Sequence, residues 1–349
     1  MTTHSLQLIG CGALAEQVYA PVLTHLEKSG RVRVTALVDP SAPRRAQLAK
    51  FFPAAQASER VEDLPATLDS LAVIASPPSF HAAQACALLA NGHHVLCEKP
   101  LAASVAEAEG MVAAAQAAGR LLAAGMMRRF YPAAQALREN IQTGFLGEAQ
   151  VIEVVEGGRF GWNAASPNFF SPKQGGVLYD LGSHVLDLLC HWFGEPVETT
   201  AQLDTLGGTN TNGLLTGRWA GGFTARVRLS WDTPLDTGWR IATSRGECRW
   251  DGSCDGLLTF QPRGGSWWLQ AHAVAQPDNS FAPIGWTGAF VRQFENVLGA
   301  IEGKNLLLAP AVDILPSLRW LQAAQSNAQF MPQPWLGSAE LAGASLFKK

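Results

Sequence analysis

The chain has 349 residues, of which 47% are hydrophobic and 16% charged, with a formal net charge of −3. That length suits two domains, and so apolar a chain can fill two cores, which excludes a disordered protein. A slightly acidic balance without any basic block argues against a nucleic-acid partner, the N-terminus lacks the basic start of a secretory signal, and no apolar run reaches the roughly 18 residues of a membrane span.

The first predicted element is a short apolar strand at 6–10. It runs into Gly10-Cys11-Gly12-Ala13-Leu14-Ala15 and then a helical pattern. This is G-x-G-x-x-A between strand and helix. The glycines permit a tight turn and let a pyrophosphate approach the helix N-terminus, where backbone N–H groups and the helix dipole favour an anion. A second strand, 32–38, ends in Asp39, where a carboxylate accepts the ribose hydroxyls of a dinucleotide. The same carboxylate repels a 2′-phosphate, which favours NAD, while Arg44 and Arg45 leave NADP open. A capping role for Asp39 at the following helix is the structural alternative.

Strands at 71–75, 94–97 and 121–125 alternate with helices at 79–90 and 104–118. That alternation predicts a doubly wound parallel sheet with its ligand beyond the carboxyl ends of the strands. Gly10, Gly12, Asp39, Ser76, Pro77, Glu98 and Lys99 all stand at such ends. Lys99 follows a buried-type strand directly and precedes Pro100. It is either a cation held at the active edge, suited to proton chemistry, or a solvated turn lysine.

After a linking helix at 131–143, a strand at 148–156 leads into a long polar and aromatic loop, 157–175. Such loops are often functional, and rings beside polar groups suit the faces of sugars. Then comes Gly175-Gly176-Val177-Leu178-Tyr179-Asp180-Leu181-Gly182-Ser183-His184-Val185-Leu186-Asp187. Asp180, His184 and Asp187 fall at i, i+4 and i+7 on one helix face. An acid–base set, a metal pair and a capped helix edge all fit that spacing; no third ligand with a supporting pattern accompanies the metal reading. Runs at 197–205, 211–219, 223–231, 238–243, 246–251 and 257–261 predict an antiparallel meander. Its many tryptophans suggest a broad apolar face that packs on another copy of the chain, as a homodimer or homotetramer. Helices near 287–302 and 312–329 precede a loosely held tail, 337–349. The six cysteines form no C-x-x-C pair and point to a reducing cytoplasm.

Taken together, the G-x-G-x-x-A turn, Pro77 with His81, Glu98-Lys99-Pro100, Arg129-Phe130-Tyr131-Pro132 and the Gly175–Asp187 stretch resemble the glucose–fructose oxidoreductase / inositol dehydrogenase (Gfo/Idh/MocA) family. The resemblance is good over about 5–193, thinner over the later strands, and returns at about 286–329. It implies an α/β protein. Residues 1–130 form a Rossmann domain, and 131–349 form a substrate-binding and oligomerisation domain with a large, mostly antiparallel sheet. It implies NAD(P)-dependent oxidation or reduction at a secondary alcohol of a sugar, polyol or related small molecule. By position, Lys99, His184 and Asp180 are the implied catalytic residues. Gly10, Gly12, Ala13, Leu14, Asp39, Ser76, Pro77, His81, Glu98 and Lys99 would line the cofactor, and no metal is implied. Arg129, Trp162, Asn163, Asn168 and Tyr179 are weaker candidates for the substrate's surroundings. Asp187 reads as support. An NAD-dependent glycosidase that oxidises its sugar transiently, and a non-catalytic nucleotide-sensing regulator, are the rival functions.

Overall fold

The computed structural model describes residues 2–65, 70–162, 170–171, 175–204, 209–272 and 285–331. Two compact units emerge. One holds the chain up to Phe130 together with 285–315; the other holds the remaining described residues from Tyr131 onward.

In the first unit, β1 (His4–Ile9), β2 (Val32–Val38), β3 (Gln56–Ser58), β4 (Leu71–Ile74), β5 (His94–Glu98) and β6 (Leu122–Gly125) form one parallel sheet. The spatial order is β3-β2-β1-β4-β5-β6. This is the doubly wound order whose switch point lies between β1 and β4. The central strands read as continuous apolar runs because both faces are covered; Leu71–Ile74 is buried at every position. The short edge strand β3 escapes sequence reading because Gln56 and Ala57 are exposed and no hydrophobic period marks it.

The helices are α1 (Ala20–Lys28), α2 (Ala42–Ala49), α3 (Pro78–Ala90) and α4 (Val105–Ala118). A π-helical turn, Ala15–Tyr19, leads into α1. Ser104 caps α4 by accepting the Glu107 N–H, and Gly119 ends it in the left-handed region.

A cluster of charges ties the strand entrance to the end of the late helix Trp286–Ile301. Glu302 pairs with His4 at 3.0 Å, Arg31 at 2.7 Å and Lys304 at 2.6 Å, while Arg31 also reaches Glu295 at 2.9 Å. The hydrogen bond from Lys304, then those from Arg31 and His4, hold the Glu302 carboxyl well below the usual carboxylate range. A depressed carboxyl stabilises the fold above its unfolded-state pKa, and that contribution is lost as pH falls through the folded value. Glu302→Gln is therefore expected to lower Tm by roughly 5 °C at neutral pH. The difference from the unaltered protein should vanish in strong acid, and thermal melts across pH read both effects. A difference that persists undiminished in acid would refute the charge account.

In the second unit, α5 (Pro132–Gln142) leads into β7 (Ala149–Gly157), the central strand of a nine-stranded sheet. α6 (Ser183–Phe193) follows, and then β8 (Glu198–Leu203), β9 (Asn212–Arg218) and β10 (Thr224–Ser230). The chain continues through β11 (Gly238–Thr243), β12 (Gly246–Trp250), β13 (Leu257–Pro262) and β14 (Leu269–His272). The helix Trp286–Ile301 is α7, packed in the first unit, and α8 (Leu315–Asn327) leads to β15 (Gln329–Phe330). The expected single meander is instead two antiparallel runs. β8–β10 and β11–β14 flank β7 on either side, with β10 parallel to β7. Sequence spacing shows the hairpins but not which strand lies between them, because that pairing joins residues far apart in the chain.

The tryptophans also differ from expectation. Trp219, Trp231, Trp239 and Trp250 are buried within their own unit. Trp239 and Trp250 pack at 5.6 Å and Trp192 of α6 meets Trp239 at 5.2 Å, so they form the core between sheet and helix. Burying such a ring contributes about 1.5–3 kcal/mol. The opposite face carries ion pairs instead, with Arg240 between Glu153 and Glu247.

Candidate active site

The glycine turn is built by contact with β4. Gly10 has φ +92°, and a Cβ there would lie 2.6 Å from the Ser76 nitrogen and 2.7 Å from the Ala75 carbonyl carbon. Only glycine lets the β1 and β4 ends touch. At Gly12 a Cβ would meet nothing within 4 Å, which leaves the loop open on that side. Asp39 is buried at the end of β2. Its Oδ2 accepts the Cys11 N–H at 2.8 Å and its Oδ1 accepts the Ser41 N–H at 2.8 Å. The carboxylate thus anchors the glycine turn, and each oxygen keeps a further acceptor site. Arg45 donates to the Asp39 carbonyl and pairs with Glu59 at 3.4 Å. An open glycine turn above a strand-end carboxylate fits the pyrophosphate and ribose of a dinucleotide.

Three residues expected at the ligands are internal. His81 is fully buried, with Nδ1 3.0 Å from the Pro100 carbonyl and Nε2 2.8 Å from the Ser76 carbonyl. Burial is the main reason its pKa lies below the usual histidine range. It clamps the turn after β4 to the turn after β5. Glu98 is 6% exposed, and its carboxyl oxygens meet the Tyr19 hydroxyl and, at 3.0 Å, the Lys99 N–H. Burial raises its pKa against those two bonds and the Lys99 charge. Arg129 is 1% exposed and donates to the Leu308 carbonyl at 3.1 Å and the Asp313 carbonyl at 3.4 Å. It ties the turn after β6 to the segment 308–313. The remaining positions stand at the strand ends as expected: Ser76 donates to Gln84 at 2.6 Å, Pro77 precedes α3, Ala13 and Leu14 begin the helix, and Lys99 follows β5.

In the second unit the Gly175–Asp187 stretch is one helix whose entry contains a π-helical turn, Leu178–Gly182. Gly176, at φ +83°, would drive a Cβ to 2.6 Å from both Asn210 oxygens. Those oxygens accept the Val177 N–H at 2.9 Å and the Leu178 N–H at 3.1 Å, so the buried Asn210 caps the helix start. Asp180 lies in the π-turn, a feature common at functional sites. Its Oδ2 accepts the Trp231 indole N–H at 3.2 Å. Trp231 packs on Phe160 at 4.5 Å and Phe170 at 6.3 Å, giving an aromatic cluster beside Asp180. His184 follows one turn later and is half-buried, whereas Asp187 is 1% exposed. Tyr179 is buried, which raises its hydroxyl pKa, and Trp162 is half-buried. Asn163 and Asn168 lie outside the described residues. Sequence reading missed Trp231 as a partner of Asp180. They are 51 residues apart, and no local pattern links them.

Residues 5–126 match the oxidoreductase family with an NAD-binding Rossmann fold (GFO_IDH_MocA), and 134–249 match the GFO/IDH/MocA C-terminal domain. The chain belongs to the Gfo/Idh/MocA family. It is 30% identical to the rhizopine catabolism protein MocA of Rhizobium meliloti, over 54% of this chain and 56% of that protein. It is 27% identical to scyllo-inositol 2-dehydrogenase (NADP(+)) IolW of Bacillus subtilis, over 58% and 55%. It is also 30% identical to the D-glucoside 3-dehydrogenase of Escherichia coli, over 56% of each. The matched stretch spans about half the length of these relatives. In three dimensions the chain is similar to an oxidoreductase from Agrobacterium radiobacter in complex with NAD+, L-tartaric acid and magnesium. That match has a TM-score of 0.80 and 20% identity over 93% of this chain and 96% of the other. The WlbA dehydrogenase from Bordetella pertussis, in complex with NADH and UDP-GlcNAcA, gives 0.78 and 20% over 94% and 96%. At such identity these two show a shared fold. This Gfo/Idh/MocA protein therefore has an NAD-binding Rossmann domain and a second unit built on a mostly antiparallel sheet. No described helix is long and apolar enough to cross a membrane.

Asp39 is the residue on which cofactor choice is expected to turn. Asp39→Ser should raise kcat/KM with NADP relative to NAD by about ten-fold or more, because it removes a negative charge where a 2′-phosphate would lie. Initial rates with both cofactors measure this, and a wild-type preference for NADP would contradict it.

Proposed function

We propose that the chain is an NAD-dependent dehydrogenase acting on a secondary alcohol carbon of a sugar, polyol or sugar derivative. The observation that carries the reading is the fixed carboxylate of Asp180, held by the Trp231 indole one turn before His184 and beside the Phe160–Phe170–Trp231 cluster. Such rings pack on C–H-rich sugar faces while the carboxylate accepts a hydroxyl. The inositol and glucoside dehydrogenases among its relatives point to the same substrate class.

NAD, when bound, supplies the two-electron acceptor. In oxidation, His184 takes the hydroxyl proton as the carbon gives up its hydride; histidine does this near neutral pH without extreme tuning. Asp180 orients His184 or a substrate hydroxyl. Lys99 stabilises negative charge developing on the oxygen. Gly10, Gly12, Ala13, Leu14, Asp39, Ser76 and Pro77 hold the dinucleotide, and Tyr179 and Trp162 are the substrate-side candidates that the structure describes. Self-association as a homodimer or homotetramer belongs to this reading, and so does a cytoplasmic location, which six free cysteines suit.

A panel of sugars, polyols and sugar acids incubated with NAD or NADP, with reduced cofactor measured by absorbance, tests the reading. Turnover that disappears in Lys99→Ala supports it. No turnover across the panel with either cofactor would overturn it.

A further inference from the structure

The segment from Thr209 into the start of β9 touches the candidate site repeatedly. The Thr209 hydroxyl donates to the Phe170 carbonyl, in the aromatic cluster beside Asp180. Asn210 accepts the Val177 and Leu178 N–H groups and so starts the helix that carries Asp180 and His184. The Thr211 carbonyl accepts the Trp231 backbone N–H at 2.8 Å, and the Trp231 carbonyl accepts the Phe160 N–H at 2.7 Å. The same tryptophan holds Asp180 through its indole. The helix start and the indole both bear on Asp180, and both hang on the neighbours Asn210 and Thr211.

Asp204 holds that segment from a position directly after β8, where it is 4% exposed. Its Oδ1 accepts the Thr211 N–H at 2.9 Å and the Asn212 N–H at 2.9 Å. Its Oδ2 accepts the Thr211 hydroxyl at 2.6 Å and the Asn212 side-chain amide at 2.8 Å. Successive N–H groups point to opposite sides of an extended strand, whereas two that converge on one oxygen form a nest that favours an anion. The carboxylate, rather than strand pairing, therefore sets the backbone at 210–212. Closing the hairpin does not call for it, since β8 and β9 already pair from Leu203 and Gly213 onward. Asp232, exposed and next to Trp231, accepts the Asn212 side-chain amide at 2.8 Å and the Ser230 hydroxyl at 3.0 Å. It braces the same cluster from the Trp231 side.

We propose that Asp204 is a positioning residue for Asp180. Its carboxylate fixes residues 210–212, which in turn fix the helix start and Trp231, so the loss of one buried acid loosens both supports of Asp180 together. An aspartate that served only the hairpin would affect stability and leave the Trp231–Asp180 bond as it is.

The inference rests on Asp180 working in the proposed dehydrogenase, so its first readout is the support itself and needs no turnover. The full chain is labelled with ¹⁵N, and the tryptophan indole N–H resonances are recorded at neutral pH. The Trp231 resonance is the one missing in Trp231→Phe and moved in Asp180→Asn. Asp204→Asn keeps the size of the side chain but puts a donor where an acceptor stood. It is expected to move the Trp231 resonance toward its position in Asp180→Asn. The Trp219 resonance, from an indole that donates to the Gly194 carbonyl at 2.8 Å, should stay in place. Glu195→Gln breaks the pair with Arg319 in the same unit and should move neither resonance. If Asp204→Asn does not fold, Thr211→Val, which removes the hydroxyl alone, carries the test with a smaller movement. With a turnover substrate, Asp204→Asn should lower kcat about ten-fold at unchanged NAD affinity. Combined with Trp231→Phe the loss should stay near ~10-fold, where independent effects would multiply to roughly a hundred-fold. An unmoved Trp231 resonance in a folded variant overturns the inference even if the dehydrogenase turns over. Additive losses in kcat overturn it as well. A moved resonance supports the holding of Asp180 by Asp204 even if no substrate of the panel is turned over, which would count against the dehydrogenase reading alone.

Discussion

His184→Ala is expected to lower kcat by about 10²–10⁴-fold, the range lost when a positioned general acid–base group is removed. KM and NAD affinity should change little, because the residue acts on the proton in flight and not on the cofactor. The helix turn that precedes His184 is held in place. Asn210 caps the helix start, the π-turn displaces Asp180, and the Trp231 indole fixes one Asp180 oxygen. In the same assay Trp231→Phe keeps the ring but removes the N–H, and a loss of roughly ten-fold in kcat is expected from a loosened Asp180. Steady-state kinetics with the best substrate of the panel, plus NAD titration by intrinsic fluorescence, would check both. His184→Ala with full kcat would remove it from the chemistry.

Gly10→Ala and Gly12→Ala separate folding from binding. Gly10 combines a φ of +92° with backbone atoms of Ala75 and Ser76 within 2.8 Å of any Cβ. Those atoms cannot swing aside as a side chain would. The variant should lose about 3 kcal/mol or more, which corresponds to a fall in Tm of roughly 5–10 °C, and should bind NAD very weakly. A Cβ at Gly12 meets nothing, so Gly12→Ala should melt normally. It should nevertheless weaken NAD by about ten-fold, since the methyl group stands where the pyrophosphate must approach. Calorimetric melts and NAD titrations decide the pair. Equal losses of stability at both positions would contradict this division.

Much of the nucleotide-binding unit was legible because its signals are local. A buried parallel strand shows as an apolar run such as Leu71–Ile74, and the turn after β1 shows as G-x-G-x-x-A. Asp39 shows as the acidic end of the next strand. The family resemblance reached further, to Lys99 and the Asp180–His184 helix, because those motifs are short and contiguous. Reading failed where a side chain's work is defined by a distant partner. His81, Glu98 and Arg129 each sit within a motif, and their burial rests on partners up to 184 positions away, which no local pattern announces. The tryptophans failed for the same reason, since an alternating strand does not say which of its faces the helices will cover.

The chain's own residues thus determined the order of strands and helices, the glycine turn with its carboxylate, and the positions of the lysine and histidine. Hydrophobic period and backbone freedom act over a few residues and can be read there. Tertiary structure alone decided that β7 lies between two antiparallel runs, that Trp231 holds Asp180, and that Tyr19 meets Glu98. Burial and hydrogen-bond satisfaction depend on which surfaces close together, and that is set by the whole fold.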